Sequence, residues 1–218
     1  MPIKITINDQ EYAFDTQKSI LHAAKEVGIK IPTLCYMKEL APNGACRMCL
    51  VEVEGFPRPV PSCNMAIKDG MKVWTNTFKI RQIRKTLIEL LIANHPKECL
   101  TCVMNQHCEL QTLAQEYGIR DERYAGEIRH NELDLTSPSL VRDPDKCILC
   151  GRCVRVCDQI QSVHAIDFTK RGFYTIVISE YNKTIDASNC VLCGACVRAC
   201  PTGALKEKSA AAEVFEAI

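Results

Sequence analysis

Cys147-Ile-Leu-Cys150-Gly-Arg-Cys153-Val-Arg-Val-Cys157 is echoed downstream by Cys190-Val-Leu-Cys193-Gly-Ala-Cys196-Val-Arg-Ala-Cys200-Pro201. Each stretch spaces four cysteines as C-x2-C-x2-C-x3-C, and the two copies form an internal repeat. Upstream of them lie Cys35, Cys46, Cys49, Cys63, Cys99, Cys102 and Cys108, so 15 of the 218 residues are cysteine. An odd number would leave one thiol over in a framework of disulfides. The start, Met1-Pro2-Ile3-Lys4-Ile5, goes straight into strand-like alternation with no apolar h-region or cleavage site, so no secretory signal is expected. The expected setting is cytoplasmic, where thiols stay reduced, and cysteines in this number then argue for metal.

Lys plus Arg number 27 and Asp plus Glu 26, a formal net charge of +1. No basic excess points to nucleic acid or to an anionic membrane surface. The longest apolar stretch, Leu87 to Ala93, is interrupted by Glu89 and is too short to span a bilayer. No G-x-G-x-x-G fingerprint or phosphate-binding loop occurs. His22, His130 and His164 read as isolated, and no nucleophile–base pair stands out. Neither NAD nor flavin is therefore expected to bind here, and no catalytic residue is assigned.

An α+β fold follows from the patterning. Residues 3–8 alternate with period two, Asn8-Asp9-Gln10 reads as a turn, and Glu11 to Phe14 pairs back. Ser19 can cap a helix through Gly28. Cys49–Val53, Val60–Cys63 and Lys72–Thr75 read as further strands. From Ile80 to Asn94 the period becomes helical, with Ile80, Ile83, Leu87, Leu90 and Leu91 on one face, until Pro96 ends it. A second helix is expected from about Cys108 to Tyr117. Residues 119–142 read as a linker, Tyr174–Ser179 as a strand, and Ser209–Ile218 as a helix-prone tail.

The repeated run is that of bacterial two-cluster ferredoxins, except that Asp158 replaces the proline of the first copy. The resemblance implies that the fourth cysteine of each run serves the other cluster. Cys147, Cys150, Cys153 and Cys200 would hold one 4Fe–4S cluster, and Cys190, Cys193, Cys196 and Cys157 the second. Gly151 and Gly194 are read as places where a side chain would crowd the cluster. Ile148, Leu149, Val154, Val191, Leu192 and Val197 are read as its dry wall.

Cys35, Cys46, Cys49 and Cys63, around Gly44-Ala45-Cys46-Arg47-Met48-Cys49, resemble the N-terminal β-grasp 2Fe–2S domain of complex I's large peripheral subunit and of many FeFe hydrogenases. A zinc site on Cys46-x2-Cys49 is the competing reading. His95-Pro-Lys-Glu-Cys99-Leu-Thr-Cys102, followed by Cys108, is similar to the histidine-ligated 4Fe–4S site of the same families. His107, beside Cys108, competes with His95, which the family pattern favours. Fifteen cysteines and one histidine supply all the donors that four four-ligand clusters require. The clusters would take the charge from +1 to roughly −6.

The expected domains are 1–78 (β-grasp, 2Fe–2S), 79–118 (helical, histidine-ligated 4Fe–4S), 143–208 (two-cluster ferredoxin), with 119–142 as linker and 209–218 as tail. In this order the sites resemble the electron-transfer portion of FeFe hydrogenase large subunits, without a cysteine after Cys200 for a hydrogen-converting centre. The resemblance implies an iron–sulfur subunit of an electron-bifurcating, NAD(P)-linked oxidoreductase. Its partners would be a flavin- and NADH-binding subunit, a small 2Fe–2S subunit, and ferredoxin or a hydrogenase or dehydrogenase subunit. The alternative is a free polyferredoxin that shuttles electrons between enzymes.

Overall fold

The computed structural model describes residues 2–121, 123–179 and 183–218. The chain divides into two compact units, Met1–Leu90 and Leu91–Ile218, where the sequence suggested three domains and a linker.

In the first unit, β1 (Ile3–Ile7) and β2 (Gln10–Phe14) form an antiparallel hairpin. Asn8 and Asp9 both take positive φ, 48° and 66°. That backbone twist suits a two-residue hairpin turn, and Asn and Asp tolerate it better than most side chains. With β3 (Leu50–Val53), β4 (Val60–Pro61) and β5 (Met71–Trp74), the sheet runs β2-β1-β5-β3-β4. Only β1 and β5 pair in parallel. Alternation along the strands sends Ile5, Ile7, Val51, Val53 and Val73 into the core. Helix α1 (Ile20–Glu26) buries Ile20, Leu21, Ala23 and Ala24 in the same core, and the Ser19 hydroxyl caps it by accepting from the His22 amide at 3.3 Å. Each fully buried aliphatic side chain there contributes about 1.5–3 kcal/mol.

Helix α2 (Phe78–Ala93) starts where the Thr77 hydroxyl accepts from the Ile80 amide at 3.2 Å. Its buried residues are Ile80, Arg84, Ile88 and Glu89, whereas Leu90 is 49% exposed. The inward face is therefore turned from the one that apolar spacing suggested. Arg84 is the cause: its guanidinium reaches the carbonyls of Met48 and Leu50 at 2.9 and 2.8 Å, and those bonds fix which side of the helix faces in.

In the second unit, α3 (Glu109–Glu116) follows Cys108 directly and buries Leu110 and Leu113. Two short antiparallel ribbons carry the rest: β6 (Leu140–Arg142) with β9 (Leu205–Glu207), and β7 (Ile166–Thr169) with β8 (Ile176–Ser179). Part of the expected linker is thus structured, since β6 lies within it and Asp134 bridges to Arg142. Helix α4 (Arg152–Arg155) widens into a π turn over Val156–Ile160, while its repeat counterpart α5 (Ala195–Ala199) does not. Helix α6 (Ala211–Ala217) ends the chain with Phe215 79% exposed. Among the described residues no helix is long and apolar enough to cross a membrane.

Candidate metal centres

Cys35, Cys49 and Cys63 are buried in the first unit, and Cys46 is half-buried. The β3–β4 pairing sets Val51 against Val60 and Leu50 against Pro61, and continuing that register puts Ser62 opposite Cys49, with Cys63 one residue further on. The Cys49 and Cys63 sulfurs lie 3.3 Å apart and share a hydrogen bond. That bond holds Cys49 down to about 6, from an ordinary thiol value of 9.0, and pushes Cys63 up. A hydrogen bond with Cys35 likewise raises Cys46. Cys63 has no local sequence motif, and the hairpin register is what brings it in. Ser62 steadies the turn, its hydroxyl donating to the Cys49 carbonyl at 2.7 Å.

In the second unit, His95, Cys99, Cys102 and Cys108 line one cavity with Lys146 and Gly203. The His95 ring lies 2.9 Å from the Pro96 carbonyl through Nδ1, a bond in which Nδ1–H donates. Nε2 is then left as a buried lone pair with no partner. Burial pushes the imidazole below its ordinary value, toward the neutral form that can ligate a metal. His107 is exposed and does not line this cavity. A Cβ placed on Gly203 would meet Cys102 Sγ at 2.7 Å, so only glycine lets the backbone pass so close to that sulfur.

All eight cysteines of the repeat line a single second cavity. Burial pushes Cys150 up to about 12, and the sulfurs that add to it are Cys147 and Cys200. Burial likewise takes Cys196 to about 11, with Cys190, Cys193 and Cys157 adding to it. The last cysteine of each run thus acts on a cysteine of the other, Cys200 on Cys150 and Cys157 on Cys196. Amides point at the sulfurs: Leu149 N–H donates to Cys147 at 3.4 Å, and Ala165 N–H to Cys157 at 3.3 Å.

Several expectations need correction. Val191 lines the cavity of the second copy although it is 62% exposed, whereas Leu192, 38% exposed, does not line it. Buried Ile166, Val177, Ile185 and Leu205 line the cavity as well. Gly194 and Gly151 take φ of +71° and +72°, a left-handed backbone that glycine adopts freely, and a Cβ on Gly194 would meet no protein atom within 4 Å. The other histidines are not isolated: His164 pairs with Asp158 at 2.7 Å, His130 lies 4.0 Å from Asp145, and His22 bonds Tyr36.

One feature escaped the sequence. Arg47, Gln106, Leu149 and Leu192 take positive φ, from 54° to 66°, one in each cysteine loop. Such backbone costs about 1–2 kcal/mol per residue, and it persists where the surroundings demand it. Among the described residues no three His, Cys, Asp or Glu side chains converge on a single-ion site.

Three domain families match the chain: a 2Fe–2S iron–sulfur cluster binding domain over residues 1–77, the NADH-ubiquinone oxidoreductase-G iron–sulfur binding region over 84–123, and a 4Fe–4S dicluster domain over 146–204. The NADP-reducing hydrogenase subunit HndD of Solidesulfovibrio fructosivorans is 41% identical over 99% of this chain and 38% of its own length. The NADPH-Fe(3+) oxidoreductase subunit alpha of Geobacter sulfurreducens is 39% identical over 80% of this chain and 21% of its own. The NADH-ubiquinone oxidoreductase 75 kDa subunit of Reclinomonas americana is 38% identical over 88% of this chain and 28% of its own. The chain thus spans well under half the length of these relatives. In the crystal structure of an NAD+-reducing nickel–iron hydrogenase in the H2-reduced state, one chain superposes with a TM-score of 0.87 at 29% identity. That match covers 95% of this chain and 88% of the other. With three iron–sulfur domains in this order, the chain is homologous to the N-terminal electron-transfer portion shared by hydrogenase subunits such as HndD and by the 75 kDa subunit of complex I.

Proposed function

We propose that this chain is the iron–sulfur electron-transfer subunit of a cytoplasmic, multi-subunit NAD(P)-linked oxidoreductase of the electron-bifurcating kind. It would stand between a flavin- and NADH-binding subunit with its small 2Fe–2S companion and, at the far end, ferredoxin or another catalytic subunit. The observation that carries this reading is the match, over 95% of this chain and 88% of the other, to a chain of an NAD+-reducing hydrogenase.

In this reading the first unit is a β-grasp domain that holds a 2Fe–2S cluster on Cys35, Cys46, Cys49 and Cys63. His95, Cys99, Cys102 and Cys108 hold one 4Fe–4S cluster. Cys147, Cys150, Cys153 and Cys200 hold another, and Cys190, Cys193, Cys196 and Cys157 a third. The fit is supported by the bare, buried His95 Nε2, by the 3.3 Å approach of Cys63 to Cys49, and by the crossed neighbours of Cys150 and Cys196. Bound clusters would supply reversible one-electron storage. The chain's own residues orient the thiolates, aim amides at sulfur and, with Ile166, Val177 and Leu205, keep water away.

Anaerobic purification under mild conditions, with iron, zinc and flavin quantified, tests the proposal. About fourteen irons per chain together with a flavin-bearing partner is the expected result. The same iron with no partner would favour a free polyferredoxin, and stoichiometric zinc would overturn the cluster assignment.

A further inference from the structure

Arg142 stands five residues before Cys147, and Ile185 five residues before Cys190, so the two occupy the same place in the two copies of the repeat. Both are buried, at 7% and 3% exposure, and both line the cavity shared by the eight cysteines. One copy sets a guanidinium toward that cavity where the other sets an alkyl group.

The guanidinium is fixed. Its Nη1 donates to the Val177 carbonyl, and its Nη2 donates to Asp134 Oδ2 at 3.3 Å. Asp134 is held in turn, its Oδ1 accepting from the Thr136 hydroxyl at 2.7 Å and from the Thr136 amide at 3.2 Å. The backbones of Asp134 and Arg142 exchange two further bonds, at 2.9 and 3.1 Å. The Nε–H of Arg142 remains, buried and without an acceptor. A buried donor on a charged group is costly to leave without a partner, so it is expected to have one in the working protein. Beyond Asp134, the acidic groups that weigh on Arg142 are the thiols of Cys147 and Cys153. Two other arginines attend the same copy. Arg129 Nη2 donates to the Cys147 carbonyl at 3.2 Å, and Arg152 lies close enough to pull Cys150 down against its burial. The charges that weigh on Cys196 in the second copy are instead those of other cysteines.

We propose that the Arg142 Nε–H donates a hydrogen bond to a sulfur of the cluster held by Cys147, Cys150, Cys153 and Cys200. The positive charge and that bond favour the more reduced form, so this cluster sits at a higher reduction potential than its neighbour beside Ile185. One electron added there lowers the local charge by one unit. Arginine keeps all its protons at any working pH, so no proton moves and no bond is broken. The pair is then a downhill step for electrons toward the Arg142 side, rather than two equal stations. The inference rests on the ligand assignment proposed above.

The test is a reductive titration of the full chain, purified anaerobically with its clusters and followed by electron paramagnetic resonance and visible absorbance. Cys150→Ser and Cys193→Ser identify which signal belongs to which cluster. Arg142→Gln is expected to lower the midpoint of the Cys150-marked cluster by at least tenfold in its reduction equilibrium, about 59 mV for one electron, and to leave the other in place. Asp134→Asn removes the compensating carboxylate and is expected to raise the same midpoint, which decides the matter where Arg142→Gln loses its clusters. Unmoved midpoints, an equal shift of both clusters, or a shift confined to the Cys193-marked cluster would overturn the role of Arg142. Iron analysis separates that failure from failure of the assignment: a wild-type chain without two distinct 4Fe–4S signals in the repeat would overturn the assignment itself.

Discussion

Arg84 Nε lies 2.9 Å from the Met48 carbonyl, and its Nη2 lies 2.8 Å from the Leu50 carbonyl, so one guanidinium from α2 brackets Cys49 from both sides. Arg84 is only 2% exposed. Charged donors to backbone carbonyls are worth more than neutral ones, and both would be lost at once on truncation. Arg84→Met is therefore expected to cost about 2–4 kcal/mol. Arg84→Lys, which keeps a charge but has no fork, is expected to recover part of it. Denaturant titration followed by the visible absorbance of the 2Fe–2S site checks this. An unchanged midpoint in Arg84→Met would mean that the loop holds its shape without α2.

Gly203 makes a strict steric demand on the histidine-containing site. A methyl at that position would stand 2.7 Å from Cys102 Sγ and 3.5 Å from Lys146 Cδ. On the proposed assignment the sulfur must hold its place to share a cluster with His95, Cys99 and Cys108. Gly203→Ala is expected to lose about four of about fourteen irons, with the other clusters retained. Gly126→Ala is the control, since nothing lies within 4 Å of its added methyl. A full iron complement in Gly203→Ala would show that the approach relaxes at no cost to the site.

The repeat and its cysteines are legible in the sequence because their spacing is itself the chemistry. Other features are not, for definable reasons. Apolar periodicity assigned Ile83, Leu87 and Leu90 to the inner face of α2, but it cannot see that Arg84 buries itself against carbonyls contributed from residues 48 and 50. The strand Leu140–Arg142 is three residues long, and its partner is Leu205–Glu207, so no local pattern announces it. The likeness of the two runs also hides their difference, since sequence similarity between Ile148-Leu149 and Val191-Leu192 does not reveal that Val191 is 62% exposed. Asn8-Asp9 was legible as a turn because those residues suit positive φ, whereas Leu149 and Leu192 adopt it against their preference.

Glu52 ties β3 to the start of α2. The Thr77 hydroxyl donates to its carboxylate at 2.6 Å, and the Lys79 ammonium lies 3.0 Å away. The Thr77 bond first, and Lys79 after it, hold the carboxyl below its ordinary value of 4.5. A carboxyl depressed in the folded state stabilises the fold above its unfolded value, and that stabilisation fades as pH falls through the folded value. The deficit of Glu52→Gln relative to wild type is therefore expected to stay constant between about pH 8 and pH 5.5, to begin shrinking near 4.5, and to be lost as pH falls through the lower folded value. Thermal melts across that range check it. A deficit that changed within the upper range would point to another titrating group.

His95 and His107 compete for one site, and the geometry gives them different fates. Nδ1 of His95 is engaged with the Pro96 carbonyl, which leaves Nε2 buried and bare, whereas His107 is exposed beside Cys108. A second-side hydrogen bond of this kind fixes the tautomer and orientation of a ligating imidazole. His95→Ala is expected to lose about four irons, and His107→Ala none. His95→Cys offers a sharper readout, because a fourth thiolate can replace the ring and keep the cluster while adding negative charge. Its midpoint should then fall, in the sense opposite to the rise that imidazole ligation brings elsewhere. Iron analysis with a reductive titration distinguishes the cases. Retention of all irons in His95→Ala with loss in His107→Ala would transfer the ligand role to His107, and an unmoved midpoint in an iron-replete His95→Cys would mean that His95 never touched the cluster.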